Sequence, residues 1–202
     1  MESPDTYKTI KSPSEGLYKE KGSRFIAIAW PVESETDIKI ILEETRKKYH
    51  DARHHSYSYI IGADSGIWRI NDDGEPSGTA GRPIIGQIRA FGLTNVLIVV
   101  CRYFGGKLLG ASGLANAYKT AARSALSNAE IIEGIVTEKF ELKFPYAILN
   151  TVMKILKEFN IEQTGHTFDI ECRMVITIRS SLKGKVISHL SRIENISVIQ
   201  VY

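Results

Sequence analysis

The sequence predicts an α+β protein of two domains, residues 1–135 and 136–202. Three observations carry this. Thr137–Tyr202 reads in the order β-α-β-β-α-β, the pattern of a split ferredoxin-like unit. Ahead of it, strands with period-two alternation are interspersed with amphipathic helices. Between two glycine-rich loops, Val96-Leu97-Ile98-Val99-Val100 is a continuous apolar run, as expected of a strand covered on both faces.

Residues 1–22 are polar, with a short strand at Tyr7–Ile10. In Ser23–Pro31, Phe25, Ala27 and Ala29 alternate with Ile26, Ile28 and Trp30, which predicts a strand. Ser34–Tyr49 is a helix capped by Ser34 or Thr36, with Ile38, Ile41, Leu42, Thr45 and Tyr49 on one face. His54–Ile61 and Ile67–Asn71 form a strand pair. A helix with Ile84, Ile85, Ile88 and Phe91 follows, Pro83 lying in its first turn. Asn95–Tyr103 is the apolar strand. Leu109–Glu130 is an Ala-rich helix whose apolar face runs through Ala111, Leu114, Ala115, Tyr118, Ala121, Ala122, Ala125 and Ala129. Ile131–Val136 reads as a linker. Then come a strand at Thr137–Phe144, a helix at Tyr146–Asn160, strands at Ile161–Asp169 and Cys172–Arg179, a helix at Leu182–Ile193 and a strand at Ile196–Tyr202.

The net charge is +3, with +1 in residues 1–135 and +2 in residues 136–202, so any basic surface is local. Two distant cysteines, Cys101 and Cys172, do not make a disulfide framework. With no apolar run near the roughly 18–20 residues of a membrane span, a cytoplasmic protein without a membrane partner is expected.

Gly105–Gly113 joins the apolar strand to a helix N-terminus. Backbone N–H groups there, with Arg102 and Lys107, suit an anion. Glycines also permit tight strand–helix packing, and the residues leave both readings open. It is not a Walker A loop, because Leu108 follows Lys107 and Cys101 stands at the first glycine position. Asp72-Asp73-Gly74-Glu75 could hold Mg²⁺, but solvated turn carboxylates explain it more simply. In Ser77-Gly78-Thr79-Ala80-Gly81, Ser77 or Thr79 is the expected cap of the next helix, and the same loop could bind phosphate. His54 and His55, adjacent on a strand, point to opposite faces and cannot line one site. Arg82, Arg89, Arg102, Lys107, Lys119 and Arg123 form a candidate basic patch. Tyr103, Phe104 and Tyr118 fall among them and would suit base stacking. A solvated helix face with core aromatics gives the same spacing.

Asp73-Gly74-Glu75-Pro76-Ser77-Gly78-Thr79-Ala80-Gly81, Val99-Val100-Cys101-Arg102-Tyr103-Phe104-Gly105-Gly106 and Leu109-Gly110 together resemble the hallmark of the IMPACT family. The resemblance covers the N-terminal domain, and Thr137–Tyr202 is similar, more weakly, to the second domain of bacterial members. It implies a first domain with the ribosomal-protein-like fold of elongation factor G domain IV. The second domain is implied to resemble domain V of that factor. It also implies a link to translation. Eukaryotic relatives bind a ribosome-associated activator through an extra N-terminal domain. That partner is not expected here, and the resemblance brings no catalytic residues.

Three functions follow from the sequence. The first is a non-catalytic protein that contacts RNA or the ribosome through Arg82, Arg102, Tyr103, Gly105, Gly106, Lys107, Lys119 and Arg123. The second is a nucleotide- or phosphate-binding enzyme using Gly105–Gly113. The third is a protein–protein adaptor with structural glycine loops. No cofactor or metal is expected, and the oligomeric state is left open.

Overall fold

The computed structural model describes residues 5–167 and 169–201. Phe168, inside the predicted strand Ile161–Asp169, and Tyr202, at the end of the last predicted strand, lie outside the described residues, as does part of the polar N-terminal stretch. The chain divides into two compact units. Tyr7–Gly134 makes one, and Asp5 and Thr6 belong with residues 135–201 in the other.

The larger unit is built on strand alternation. Its elements are β1 (Thr6–Ile10), β2 (Ser14–Glu20), β3 (Ser23–Pro31), α1 (Glu35–Lys48), β4 (His54–Ile61), β5 (Ile67–Asn71), α2 (Gly81–Ala90), β6 (Val96–Tyr103), α3 (Gly110–Ser127) and β7 (Ile131–Ile135). Five strands form one sheet in the order β2-β3-β6-β4-β5, and β1 pairs with β7. All four pairings in the five-stranded sheet are antiparallel. β6 lies at the centre. Val96, Ile98 and Val100 point into the core under α2 and α3, and Leu97, Val99 and Cys101 into the core under α1. Both faces are therefore covered, which is why the run carries no polar residue.

α1 begins with a capping box in which Ser34 Oγ accepts from Asp37 N–H and the Asp37 carboxylate accepts from Ser34 N–H. α3 packs against β2 and β3 through Leu114, Ala117, Tyr118, Ala121, Ala122, Ala125 and Leu126. Its buried stripe sits further round than predicted. Ala111 is exposed and Ala115 and Ala129 only half-buried, whereas Ala117 and Leu126 are core. The small stripe lets β2 come close. A Cβ on Gly16 would lie 2.2 Å from Ala125 N, and Ser14 Oγ donates to the Ala125 carbonyl at 2.9 Å.

Two strands escape the sequence pattern. β2 lies in the stretch that reads only as polar, because Glu15, Lys19 and Glu20 mask its alternation. The predicted linker contains β7, an exposed strand with Glu133 and Gly134 that has β1 as its partner. Long-range pairing, not local pattern, makes both.

The smaller unit contains β8 (Thr137–Pro145), a 3₁₀ turn at Tyr146–Ile148, α4 (Leu149–Glu158), β9 (Glu162–Thr167), β10 (Glu171–Arg179), α5 (Ser180–Leu190) and β11 (Ser197–Val201). The sheet order β11-β8-β10-β9 is the ferredoxin-like arrangement. Phe140, Leu142, Phe144, Met174, Ile176 and Ile178 meet Val152, Leu156, Val186 and Leu190 from the two helices. Asp5 belongs here because Val136 N–H donates to its carbonyl, and Ser181 N–H and Oγ–H donate to its carboxylate at 2.9 and 2.7 Å. The sequence placed it in the first domain, since this pairing spans almost the whole chain. Among the described residues, no helix is long and apolar enough to cross a membrane.

Candidate functional site

The Asp72–Gly81 loop has lost its carboxylates to internal partners. Asp72 caps α2: its Oδ1 accepts from Ala80 N–H at 3.0 Å and Gly81 N–H at 2.8 Å, and its Oδ2 from Gly78 N–H at 2.8 Å. Ser77 and Thr79 do not take that role. The N-cap residue is Ala80, and Thr79 Oγ–H donates to the Pro76 carbonyl instead. The loop amides that could have held a phosphate thus hold this carboxylate. Burial pushes the Asp72 carboxyl up, and the three amides with Arg82 outweigh it and hold it below its usual range.

Asp73 has φ +46°, and its carboxylate accepts from Arg46 at 2.8 Å and from His55 N–H at 2.6 Å. Burial raises this carboxyl too, and Arg46 and His55 together bring it below its usual range. The two histidine rings leave β4 on opposite sides, one to the loop and one to the end of α1. His54 Nδ1–H donates to the Asp73 carbonyl at 2.7 Å, and His55 Nε2–H to the Tyr49 carbonyl at 2.9 Å.

Glu75 corrects the expectation of a solvated turn. It is 7% exposed, and its Oε1 lies 2.6 Å from Arg102 Nη1 and 2.8 Å from Tyr118 Oη, with His54 Nε2 at 3.8 Å. Ser56 Oγ bridges Tyr118 Oη and the Asp72 carbonyl. Strand register builds this cluster, because His54 lies directly opposite Arg102 on β4 and β6. Arg102 is consequently buried, with its guanidinium carbon 5.4 Å from the Phe25 ring centroid and 5.6 Å from that of Phe104. It does not present a free charge to an anion.

The other predicted residues fall into two groups. Tyr103 points to the α1 side, where its hydroxyl donates to Asp51 at 2.7 Å and Arg24 stacks on its ring. Burial, with Asp51 second, pushes this phenol up to about 12. Tyr118 is fully buried and Tyr103 half-buried, so of the three aromatics Phe104 alone is exposed. Gly105 is a packing glycine: a Cβ there would lie 2.0 Å from Gly22 C, and its N–H donates to Ser23 Oγ. It packs against the β2–β3 turn rather than a helix. Gly106, at φ +83°, and Lys107 are exposed. Arg82 and Arg89 lie on the outer face of α2, and Lys119 and Arg123 on that of α3. Burial drives the Cys101 thiol up to about 12. Among the described residues, no group of three or more His, Cys, Asp or Glu could hold a metal ion.

A feature the sequence reading passed over becomes visible on this frame. No Asp or Glu occurs between Glu75 and Glu130, while Arg82, Arg89, Arg102, Lys107, Lys119 and Arg123 all do. That segment supplies both helices of one sheet face. Among the described residues, five of these cations form no ion pair, Arg102 being the exception. α1 places Glu35 and Asp37 in its first turn and Arg46, Lys47 and Lys48 in its last, as the helix dipole favours. α2 and α3 have no acidic residue in the first turn, and α2 carries Arg82 there.

Residues 21–126 match the Impact N-terminal domain. The IMPACT family member YvyE of Bacillus subtilis (strain 168) is 31% identical over 168 residues, spanning 82% of this chain and 77% of that protein. The IMPACT family member YigZ of Escherichia coli (strain K12) is 30% identical over 173 residues, 85% of this chain and 83% of that one. A solved crystal structure of a hypothetical protein superposes with a TM-score of 0.75 at 25% identity, covering 98% of both chains. With its hallmark loops folded into one interlocked sheet end and the likeness running through both units, the chain belongs to the IMPACT family.

Proposed function

We propose that this chain is a non-catalytic binding protein that contacts RNA, free or in the ribosome, and that it acts in the regulation of translation. The carrying observation is the carboxylate-free segment 76–129, whose exposed cations Arg82, Arg89, Lys107, Lys119 and Arg123 form no ion pair among the described residues. A surface that omits carboxylates over 54 residues costs self-repulsion, and a polyanion offsets it. The ferredoxin-like order of the smaller unit supports its proposed likeness to domain V of elongation factor G, and the larger unit is proposed as the counterpart of domain IV. A nucleotide-binding enzyme is the weaker reading, because Asp72, Asp73 and Glu75 are already engaged by amides, Arg46 and Arg102. Filter binding of total cellular RNA tests the proposal. Retention at low salt that falls as salt rises is expected. No retention at low salt overturns it, and capture of a partner that persists after nuclease treatment would point to a protein adaptor.

A further inference from the structure

We infer that the exposed layer of α2 and α3 binds the sugar-phosphate backbone of double-helical RNA rather than unpaired bases. The inference rests on the RNA reading above and names the form of RNA. Recognition of unpaired bases needs exposed aromatic rings on which bases stack. Of the three aromatics that the sequence placed in the basic patch, Tyr103 is bonded to Asp51 and Tyr118 is buried against Glu75. The third, Phe104, is exposed at the end of β6, and its ring already carries the guanidinium groups of Arg53 and Arg102. No aromatic residue is exposed on α2 or α3, and the exposed Trp68 beside them on β5 already has the Arg89 guanidinium stacked over its ring at 5.2 Å. The open sheet face of the smaller unit, where a ferredoxin-like RNA binder carries its stacking rings, offers Val175 and Thr177 on β10, and its Arg173 and Lys143 are paired with Glu171 and Glu141.

What α2 and α3 do expose suits a rigid backbone. Arg82 and Arg89 stand about 10 Å apart along α2, and Lys119 and Arg123 about 6 Å apart along α3. The two helices pack side by side on one sheet face. Beside the cations the exposed positions are small: Gly86 between Arg82 and Arg89 on α2, and Ser112 and Asn116 in the turns before Lys119 on α3. Small side chains let a duplex approach closely. The amide and hydroxyl can meet 2′-hydroxyls, which line the wide minor groove of A-form RNA.

Fluorescence anisotropy at low salt tests this with labelled duplexes of about 16–20 base pairs. Two RNA duplexes of unrelated sequence, their separated strands and a DNA duplex of one sequence are compared. The RNA duplexes are expected to bind within about twofold of each other, and single strands and DNA at least about fivefold more weakly. Arg89→Ala and Lys119→Ala, both at exposed positions, should each lower the slope of log affinity on log salt by about 1. Thermal melting checks that these variants keep the wild-type fold. Tighter binding of the single strands, equal binding of DNA, or unchanged slopes in both variants overturns the inference and leaves general RNA binding standing. Absence of binding to every RNA overturns both.

Discussion

Arg102 Nη1 sits 2.6 Å from Glu75 Oε1, and the two side chains are 7% and 2% exposed. This is an ion pair withdrawn from water, so removing one charge leaves the other uncompensated. Glu75→Gln is expected to destabilise the larger unit by about 3–5 kcal/mol. Glu75→Leu combined with Arg102→Met should recover part of that loss. Urea unfolding of both variants measures the coupling, and a double variant no better than the single one would contradict this account.

Asp72→Ala removes a carboxylate that accepts three amide bonds at the start of α2. A loss of about 2 kcal/mol is expected, at the upper end for a helix cap. The carboxyl is held below its unfolded value of about 3.9, so its contribution is complete above that pH. It fades as pH falls through the lower folded value. Melting temperature against pH should therefore drop less steeply below about pH 4 in Asp72→Asn than in wild type.

Lys107 and Arg102 look equivalent in the sequence and should behave oppositely. Lys107→Ala should leave the melting temperature within about 2 °C, since exposed substitutions rarely exceed about 0.5 kcal/mol, and reduce the salt slope of RNA binding. Arg102→Ala should destabilise strongly, with any loss of binding following loss of fold.

Gly105→Ala places a methyl group against the Gly22 and Ser23 backbone. A loss of at least about 1–3 kcal/mol is expected from overpacking. Gly106→Ala also loses stability, by backbone strain at φ +83° with open space around it. Restoring room with a compensating change is not available at Gly22, which is already glycine, so Gly105→Ala should be the harder variant to rescue.

Native Cys101 should resist iodoacetamide, because its thiol is buried and raised to about 12. Mass spectrometry should show its alkylation only after denaturation. Rapid labelling under native conditions would show that β6 opens to solvent.

How much of this was legible depended on distance along the chain. Ser34 is three residues from its partner Asp37, and a cap there is readable from spacing alone. The ferredoxin-like order was readable because each of its elements keeps its own period. The cap of α2 was not, since Asp72 reaches nine residues ahead to Gly81 while Ser77 and Thr79 occupy the usual positions. Glu75 and Arg102 are 27 residues apart, and only the antiparallel register of β4 and β6 reveals that the acid is buried. The exclusion of carboxylates from 76–129 needed no structure at all to count. Its meaning needed one, because only the fold shows that α2 and α3 share a sheet face.

The Asp5 carboxylate joined to Ser181 sets an order of events during synthesis. Asp5 leaves the ribosome 176 residues ahead of Ser181. Asp5 must wait, hydrogen-bonded only to water, until α5 has emerged. The smaller unit therefore closes only after the whole of the larger one has been synthesised, and a gene fragment beginning at codon 136 would encode it without this clasp.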